Sequence, residues 1–197
     1  METHVMWTPW SGTGLEDLCL QVSDEGKQVE SVVIAVGDQA PFRLWYRLLL
    51  DQNWHVRHCR FQLLGGENKV LQLSTDGRGH WNDAEGNPSS VLEGCLDVDI
   101  AVTPFTNTIP IRRLSLLPGQ SADLLVAYLS VPDLQVRAMR QRYTCLETRA
   151  DGGLYRYESL ESDFSRDLPV DAQGLVLDYP RIWKRVEMKP LRDSFAS

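Results

Sequence analysis

Two carboxylates and two guanidinium groups lie close together in one stretch of the sequence, GCLDVDIAVTPFTNTIPIRRL, residues 94–114. Asp97 and Asp99 alternate with aliphatic residues, the pattern of a half-buried strand, so both acids should share one face with Cα atoms roughly 6.5 Å apart. A carboxylate pair with this spacing can serve glycoside hydrolysis. Such pairs are commonly ordinary solvated residues, however, and we predict no catalytic residue.

Arg112 and Arg113 follow the acids after a turn rich in Thr, Asn and Pro. We predict that one of the two acids pairs with one of these arginines and fixes the turn at residues 103–110. Guanidinium groups also form bidentate hydrogen bonds to phosphate or carboxylate and tolerate partial burial. Residues 103–146 contain five arginines and two aspartates, a bias compatible with an anion site. Solvated strand faces covered by arginine stems are the commoner situation.

The overall charge and composition argue against several classes of protein. The net charge is −7, whereas a general nucleic-acid binder normally needs a dominant basic surface, so no nucleic-acid partner is predicted. Hydrophobic residues make up 43% and charged residues 24% of the chain, close to the globular average, so disorder and coiled-coil structure are not expected. The length of 197 residues suits one sizeable domain, which we predict over residues 1–197.

The sequence predicts a cytoplasmic protein. Its first Lys or Arg is Lys27, so the N-terminus lacks the basic region and apolar run of a secretory signal. The longest apolar runs, such as residues 124–129, are far shorter than the roughly 20 residues needed to cross a bilayer, so no transmembrane segment is predicted. The four cysteines show no Cys-x-x-Cys spacing, and we expect reduced, mostly buried thiols.

Turn residues punctuate the chain at short intervals, as in Asp76-Gly77 and Pro118-Gly119, and most segments between them are rich in aliphatic and aromatic residues. This is the pattern of an antiparallel meander. No segment has the pattern of a long helix. Thr108 fits the cap of a helical turn with Pro110 in its first turn, but a strand fits this segment equally well. The predicted strands are 29–36, 42–50, 54–64, 69–75, 92–102, 124–131, 134–146, 154–160 and 174–179.

Several of these strands carry polar and apolar residues on both faces. Along residues 54–63, one face includes Trp54 and His58 and the other includes Arg57 and Phe61. A simple sandwich would alternate more cleanly. Mixed faces are typical of a barrel wall whose inside lines a ligand chamber, although edge strands and solvated hairpins produce the same pattern.

The sequence contains no motif for a metal, a cofactor or a nucleotide. His55 and His58 would point to opposite faces of a strand, which disfavours joint metal binding. Gly-x-Ser-x-Gly and Gly-x-x-x-x-Gly-Lys-Ser/Thr motifs are absent, and Gly12-Thr13-Gly14 lacks the third glycine of a dinucleotide fingerprint. We therefore predict neither a metal nor a cofactor.

Five segments of the sequence together resemble a known family. They are WTPWSGTGLEDL at 7–18, YRLLLDQNWHVR at 46–57, the segment 94–114, QRY at 141–143 and DAQGLVLDYPRIWKR at 171–185. Their order and spacing are similar to those of bacterial proteins once catalogued as a domain of unknown function and now called "putative glycolipid-binding" proteins. The resemblance implies an all-β fold like that of bacterial carriers of lipidated proteins, an open β-barrel around an apolar cavity. The resemblance implies no enzymatic reaction.

We therefore predict a single-domain antiparallel barrel, open or closed, that binds or carries a glycolipid or another amphipathic small molecule. Tails alone would bind indiscriminately, so selectivity must come from polar groups at the mouth, with Arg112, Arg113 and Asn107 as leading candidates. Tyrosine and tryptophan suit apolar sites with a polar rim, although core packing would look the same. The further candidate ligand residues are Phe105, Trp54, Arg57, Tyr143 and Tyr155, and the other aromatic residues able to line a cavity are Trp45, Tyr46, Tyr157 and Tyr179.

Two other functions fit the sequence. The first is an enzyme acting on a lipid or sugar derivative, with Asp97 or Asp99 as acid or base, which we favour less than a binding protein. The second is a protein-interaction module with a filled core. A cavity smaller than about 300 Å³ would favour this module.

Overall fold

The protein is built almost entirely from β-strands. The computed structural model describes residues 1–37, 40–65 and 69–187, with 57% strand and 7% helix. The predicted all-β class is confirmed. No helix in these three ranges is long and apolar enough to cross a membrane. The predicted domain of residues 1–197 runs past residue 187, so its end lies outside the described residues.

The described strands form two sheets, with one helix and two short 3₁₀ turns between them. The first sheet contains β1 (Glu2–Pro9), β2 (Gly14–Ser23), β3 (Gly26–Val36), β4 (Pro41–Leu50), β5 (Val56–Leu63), β6 (Val70–Thr75), β7 (Trp81–Asn82), β13 (Asp178–Tyr179) and β14 (Trp183–Arg185). The second contains β8 (Asp97–Ile100), β9 (Ser121–Leu129), β10 (Val136–Arg149), β11 (Gly152–Ser159) and β12 (Ser165–Asp171). The helix is α1 (Thr108–Leu114), and the 3₁₀ turns are Ser90–Leu92 and Phe105–Asn107.

Both sheets are mainly antiparallel. The strand order is β13-β14-β1-β2-β3-β4-β5-β6-β7 in the first sheet and β12-β11-β10-β9-β8 in the second. The turns at residues 51–53 and 132–133 join antiparallel neighbours, β4 with β5 and β9 with β10, as predicted. β8 pairs with β9 in parallel, the one exception among the described pairs. One sheet curls into a half-barrel and the other is a broad antiparallel sheet.

A single cluster of buried side chains joins the two sheets. In β2, Leu18 and Leu20 are buried while Asp17 and Gln21 are exposed, the alternation expected of a sheet with one covered face. Large side chains from both sheets and from the segments between them are fully buried, among them Trp7, Tyr46, Phe61, Trp81, Phe105 and Tyr143. The interior is therefore largely filled with side chains rather than open as in an empty barrel.

The segment that carries the two acids and two arginines passes from strand to helix. β8 ends at Ile100, and the 3₁₀ turn at 105–107 leads directly into α1. The helical interpretation of this segment is therefore correct. Pro110 lies in the first helical turn, where its missing N–H costs no hydrogen bond. Thr108 is the first helical residue rather than the cap, a position that Asn107 occupies.

Several predicted strands are shorter in the structure, and some strands are missed by the sequence pattern. The prediction omits β1, β2, β7, β12 and β14. The predicted strand at 92–102 shrinks to β8, because a 3₁₀ turn precedes Gly94, whose φ of 82° leaves the extended region. The predicted strand at 174–179 shrinks to β13 because Gly174 has φ of 80°.

Candidate functional site

A small cavity lies where β8 and the turn after it meet β11 and the residues around β13 and β14. Its volume is about 250 Å³. Aromatic rings form much of its wall, while Asp99 and Asn107 contribute polar groups. We call this space the inner cavity. The described residues that line it include one carboxyl group and no histidine or cysteine, which is too few donors for a bound metal ion.

The aromatic side chains of the inner cavity pack against one another. The ring centroid of Tyr157 lies 5.9 Å from that of Phe164 and 6.5 Å from that of Tyr179, with the rings edge to face. Such contacts are favourable and hold the rings in place. Within the described chain, the hydroxyl groups of Tyr128, Tyr157 and Tyr179 have no hydrogen-bond partner. These hydroxyls are therefore available to a ligand.

Asp99 is the carboxyl group of the inner cavity, and its hydrogen-bond partners are neutral. Thr106 Oγ1 donates to Oδ1 at 2.9 Å, and Gln141 Nε2 donates to Oδ2 at 2.6 Å. Burial raises the pKa of Asp99, and the two hydrogen bonds oppose that rise. Each carboxylate oxygen can accept more than one hydrogen bond, so Asp99 has capacity left for a ligand hydroxyl.

Asn107 is held at the edge of the inner cavity by two hydrogen bonds. Its Nδ2 donates to the carbonyl oxygen of Pro104 at 3.0 Å, and its Oδ1 accepts from the hydroxyl of Tyr143 at 2.8 Å. Phe105 in the same turn is fully buried. Of the predicted ligand residues, Asn107 thus lines the cavity, while Tyr143 and Phe105 lie behind it.

A second carboxyl group without a cationic partner, Glu16, lies behind the cavity residue Thr103. Glu16 is fully buried and accepts hydrogen bonds from Ser31 at 2.9 Å and from the hydroxyl of Tyr46 at 2.7 Å. Thr103 Oγ1 lies 2.7 Å from each carboxyl oxygen. Burial raises the pKa of Glu16 to about 7, although these hydrogen bonds lower it.

An open groove of about 800 Å³ adjoins the inner cavity. Both spaces have Ala101, Ile182 and Trp183 in their walls. The groove runs between the ends of β1 and β3 and the turn that joins β9 to β10. We call it the outer groove. Its wall is mainly apolar and includes Val36, Phe42, Val102, Val131 and Pro132.

Asp97 and Arg113 form a buried ion pair. Arg113 donates from Nε to Oδ1 at 2.9 Å and from Nη2 to Oδ2 at 2.6 Å. The Asp97 side chain is 1% exposed and that of Arg113 is 10% exposed. The predicted pairing of an acid with an arginine is confirmed, and it ties α1 to β8 across the turn. Asp97 is therefore not available with Asp99 as the free carboxylate pair of a glycoside hydrolase.

Arg112 lies in a different part of the surface from Arg113. Its guanidinium carbon is 5.7 Å from the ring centroid of Trp54, and with Tyr155 it lines a separate cleft of about 330 Å³. Arg57 is elsewhere again, where it donates to Asp51 Oδ2 at 2.6 Å. The eight predicted ligand residues thus do not converge on one site, and their contacts with a ligand stay a prediction.

The wall of the inner cavity combines aromatic residues that the sequence analysis named with others that it missed. Tyr157 and Tyr179, named as residues able to line a cavity, do line it. Phe164 and Trp183 complete the aromatic wall. Both lie outside the predicted strands, so periodicity offers no signal for them, although Trp183 belongs to the segment 171–185 that carries the family resemblance.

Comparison with known proteins gives the family. Residues 4–185 match a family described as "Putative glycolipid-binding". The chain belongs to this family. This chain is similar to the crystal structure of a DUF1089 family protein from Pseudomonas aeruginosa, at 1.80 Å resolution, with 42% sequence identity. The TM-score is 0.79, and the match covers 87% of this chain and 92% of that chain. No curated protein matches the chain.

Proposed function

We propose that the protein binds an amphipathic ligand with a hydroxyl-rich head group, such as a glycolipid, across the inner cavity and the outer groove. The observation that carries the proposal is the position of the two spaces. Polar groups of Asp99 and Asn107 lie beside an apolar groove, and three residues belong to both walls. The description of the family supports the same class of ligand.

The chemistry of the inner cavity suits a sugar-like head group. Asp99 accepts hydrogen bonds, and the hydroxyls of Tyr128, Tyr157 and Tyr179 can donate or accept them. The aromatic rings supply flat apolar surfaces with polar edges, which favour a ring that has both C–H faces and hydroxyl groups. A simple hydrocarbon would leave these polar groups without partners, and that costs free energy.

The outer groove suits the apolar part of such a ligand. Burial of a 12-carbon chain contributes about 10 kcal/mol at about 0.8 kcal/mol per CH₂. Association costs roughly 4–15 kcal/mol, which cancels most of this gain. A tail in the groove therefore binds weakly and without selectivity. The hydrogen bonds of the inner cavity must provide the discrimination between ligands.

The predicted residues around α1 take different parts in this proposal. Asn107 contacts the head group directly, whereas Arg113 acts through Asp97 by holding β8 and α1 together. Arg112 and Tyr155 form a separate cleft, the competing position for a head group.

We also propose a cytoplasmic location, because all four cysteines, each within the described ranges, are free thiols.

A protein-interaction module is the second candidate, and the size of the inner cavity favours it. The volume of about 250 Å³ lies below the roughly 300–1,000 Å³ of typical small-molecule pockets. Of the two spaces in this proposal, the outer groove, at about 800 Å³, reaches this range. In this alternative the groove would accept an apolar peptide segment rather than a lipid tail.

Two probes of equal chain length test the proposal on the purified full chain. Octyl glucoside below its critical micelle concentration carries the sugar head group, and 1-octanol carries the same eight-carbon tail with a single hydroxyl group. We expect Asp99→Asn to weaken octyl glucoside binding at least about tenfold, the consequence of losing a hydrogen bond to a charged group. Binding of 1-octanol should change little. Ala101→Trp, at the wall shared by both spaces, should abolish binding of both probes.

Asp123→Asn is the matched control, because Asp123 is an exposed aspartate on β9 that pairs with Arg142 away from the cavity. It should bind both probes as the unaltered protein does. Native mass spectrometry of gently purified protein, with lipid analysis of what is released, then identifies the natural ligand. Undiminished binding of octyl glucoside to Ala101→Trp would overturn the proposal.

A further inference from the structure

The outer face of the first sheet holds three side chains that commonly bind metals. β1 and β2 pair with His4 opposite Cys19 and Glu2 opposite Gln21. Because side chains alternate along a strand, Glu2 and His4 share the face opposite the buried Val5. Their ligand atoms and the sulfur of Cys19 all lie within 4.8 Å of one another. We propose that Glu2, His4 and Cys19 bind a zinc-class divalent cation.

The donor set matches the preferences of zinc. Thiolate, imidazole and carboxylate are its usual protein ligands, at bond lengths of about 2.0–2.3 Å. Two ligands of one tetrahedral ion are then separated by about 3.3–3.6 Å. The sulfur of Cys19 therefore needs to approach the other two ligand atoms by at most about 1.5 Å. Nε2 of His4 and the nearer oxygen of Glu2, now 2.8 Å apart, need to separate slightly. Glu2 and His4 are about half exposed, at 53% and 54%, and can rotate to do so. Three protein ligands leave one coordination position open for water.

The charge around Cys19 favours a cation. The carboxylates of Glu2, Asp17 and Glu30 lie close enough to act electrostatically on its sulfur. These negative groups stabilise a divalent cation at that position. A cleft of about 320 Å³ is lined by His4, Cys19, Asp17 and Glu30, so an ion has access.

Two neighbouring contacts prepare the site. His4 Nε2 lies 2.8 Å from one oxygen of Glu2, and Gln21 Nε2 donates to the other oxygen at 2.9 Å. The amide of Gln21 can therefore keep the carboxylate oriented while the first oxygen turns to the metal, the role of an outer hydrogen-bond partner. Cys19 is also the partly exposed thiol of the protein, because Cys59, Cys95 and Cys145 are buried.

Cobalt(II) titration of the untagged, chelator-treated full chain tests this site, since cobalt occupies zinc sites and a thiolate ligand produces a near-ultraviolet charge-transfer band. We expect a band that saturates at one equivalent and disappears when zinc is added. Cys19→Ser should lose the band. His4→Asn should weaken cobalt binding at least about tenfold, because loss of even an outer partner has an effect of this size.

His80→Asn is the control. His80 lies 2.7 Å from Asp76 and 3.5 Å from Glu93 in an exposed group without a thiol, so this variant should keep the band and the affinity. Circular dichroism of each variant verifies folding. Absence of the band in the unaltered protein at excess cobalt, or its persistence in folded Cys19→Ser, would overturn the proposal.

Discussion

Asp97 and Asp99 lie two residues apart on one short strand, but the two ends of β8 present different surroundings. At the first end, Asp97 is fully buried and bound through both oxygens to Arg113. At the other end, Asp99 borders the inner cavity and has only neutral partners, Thr106 and Gln141. The same residue type is thus part of the framework at one position and available to a ligand at the other.

The difference lies in the partner rather than in the position along the strand. A buried carboxylate with a bidentate arginine has its charge neutralised and most of its lone pairs occupied. A carboxyl group with neutral partners keeps both a raised pKa and the capacity to accept further hydrogen bonds. Glu16 belongs with Asp99 in this respect, because its partners are three hydroxyl groups. Asp99 and Glu16, both carboxyl groups without a cationic partner, lie on the side of the inner cavity.

The largest expected effect comes from breaking the ion pair. Asp97→Asn should lower the free energy of unfolding by about 3–5 kcal/mol, because it leaves the mostly buried Arg113 without a counter-charge. Urea denaturation followed by circular dichroism measures the change. Replacing both partners, as in Asp97→Asn with Arg113→Met, should recover part of the loss, since no unpaired charge is then buried.

The control for this prediction is the pair of Asp123 and Arg142. It has the same bidentate geometry, at 2.6 and 3.0 Å, but both side chains are more than 40% exposed. Asp123→Asn should therefore cost far less stability than Asp97→Asn. Equal losses in the two variants would mean that burial is not what distinguishes Asp97.

The next effect is a pH dependence caused by Glu16. Burial raises the pKa of Glu16 from its ordinary value of 4.5 to about 7, so between these values the folded protein holds a proton that the unfolded chain has released. The stability due to this proton is complete below about pH 4.5 and is lost as the pH rises through 7. The loss between pH 5 and pH 8.5 should be about 2–3 kcal/mol.

Urea denaturation of the protein and of Glu16→Gln at both pH values isolates this contribution. The amide of the variant does not titrate. Glu16→Gln should therefore become more stable relative to the unaltered protein as the pH rises. Glu25→Gln, at an exposed acid in the turn after β2, should leave the pH dependence unchanged. A constant difference between the protein and Glu16→Gln across the range would contradict the prediction.

The carboxyl groups of Asp97 and Glu16 illustrate which contacts the sequence can predict and which it cannot. The ion pair at Asp97 follows from one local segment, because a short turn brings α1 back to β8. Glu16 was missed because β2 was not recognised as a strand. Glu16, Leu18 and Leu20 occupy alternate positions on the covered face, and an acid at an inward position obscures the hydrophobic pattern. β12 was missed because Pro169 interrupts it, which is tolerated at the edge of a sheet.

The inner cavity could not be derived from the sequence for a different reason. Its wall combines Asp99 and Asn107 from one segment with Tyr157, Phe164 and Trp183 from three others. Their meeting depends on how the two sheets pack over each other, and strand periodicity predicts which face is covered without predicting what covers it. Asn107, selected from the sequence as a polar group at the ligand mouth, lines this cavity, and its contact with a ligand stays a prediction.

A smaller effect on stability is expected at Asp99. Asp99→Asn keeps the shape of the side chain and removes no ion pair, so the free energy of unfolding should change by at most about 1 kcal/mol. Because burial raises the pKa of Asp99, the stability of the variant relative to that of the unaltered protein should increase as the pH rises. A loss as large as that of Asp97→Asn, measured in the same urea series, would place Asp99 in the framework as well.

A small effect on stability is also expected at Arg112, and this variant decides between the two clefts. Arg112 is exposed and its guanidinium carbon lies 5.7 Å from the ring centroid of Trp54, so Arg112→Ala should cost about 0.5–1 kcal/mol. If the head group occupies the inner cavity, octyl glucoside should bind this variant as tightly as it binds the unaltered protein. Normal binding to Asp99→Asn together with weakened binding to Arg112→Ala would instead assign the head group to the cleft of Arg112 and Tyr155.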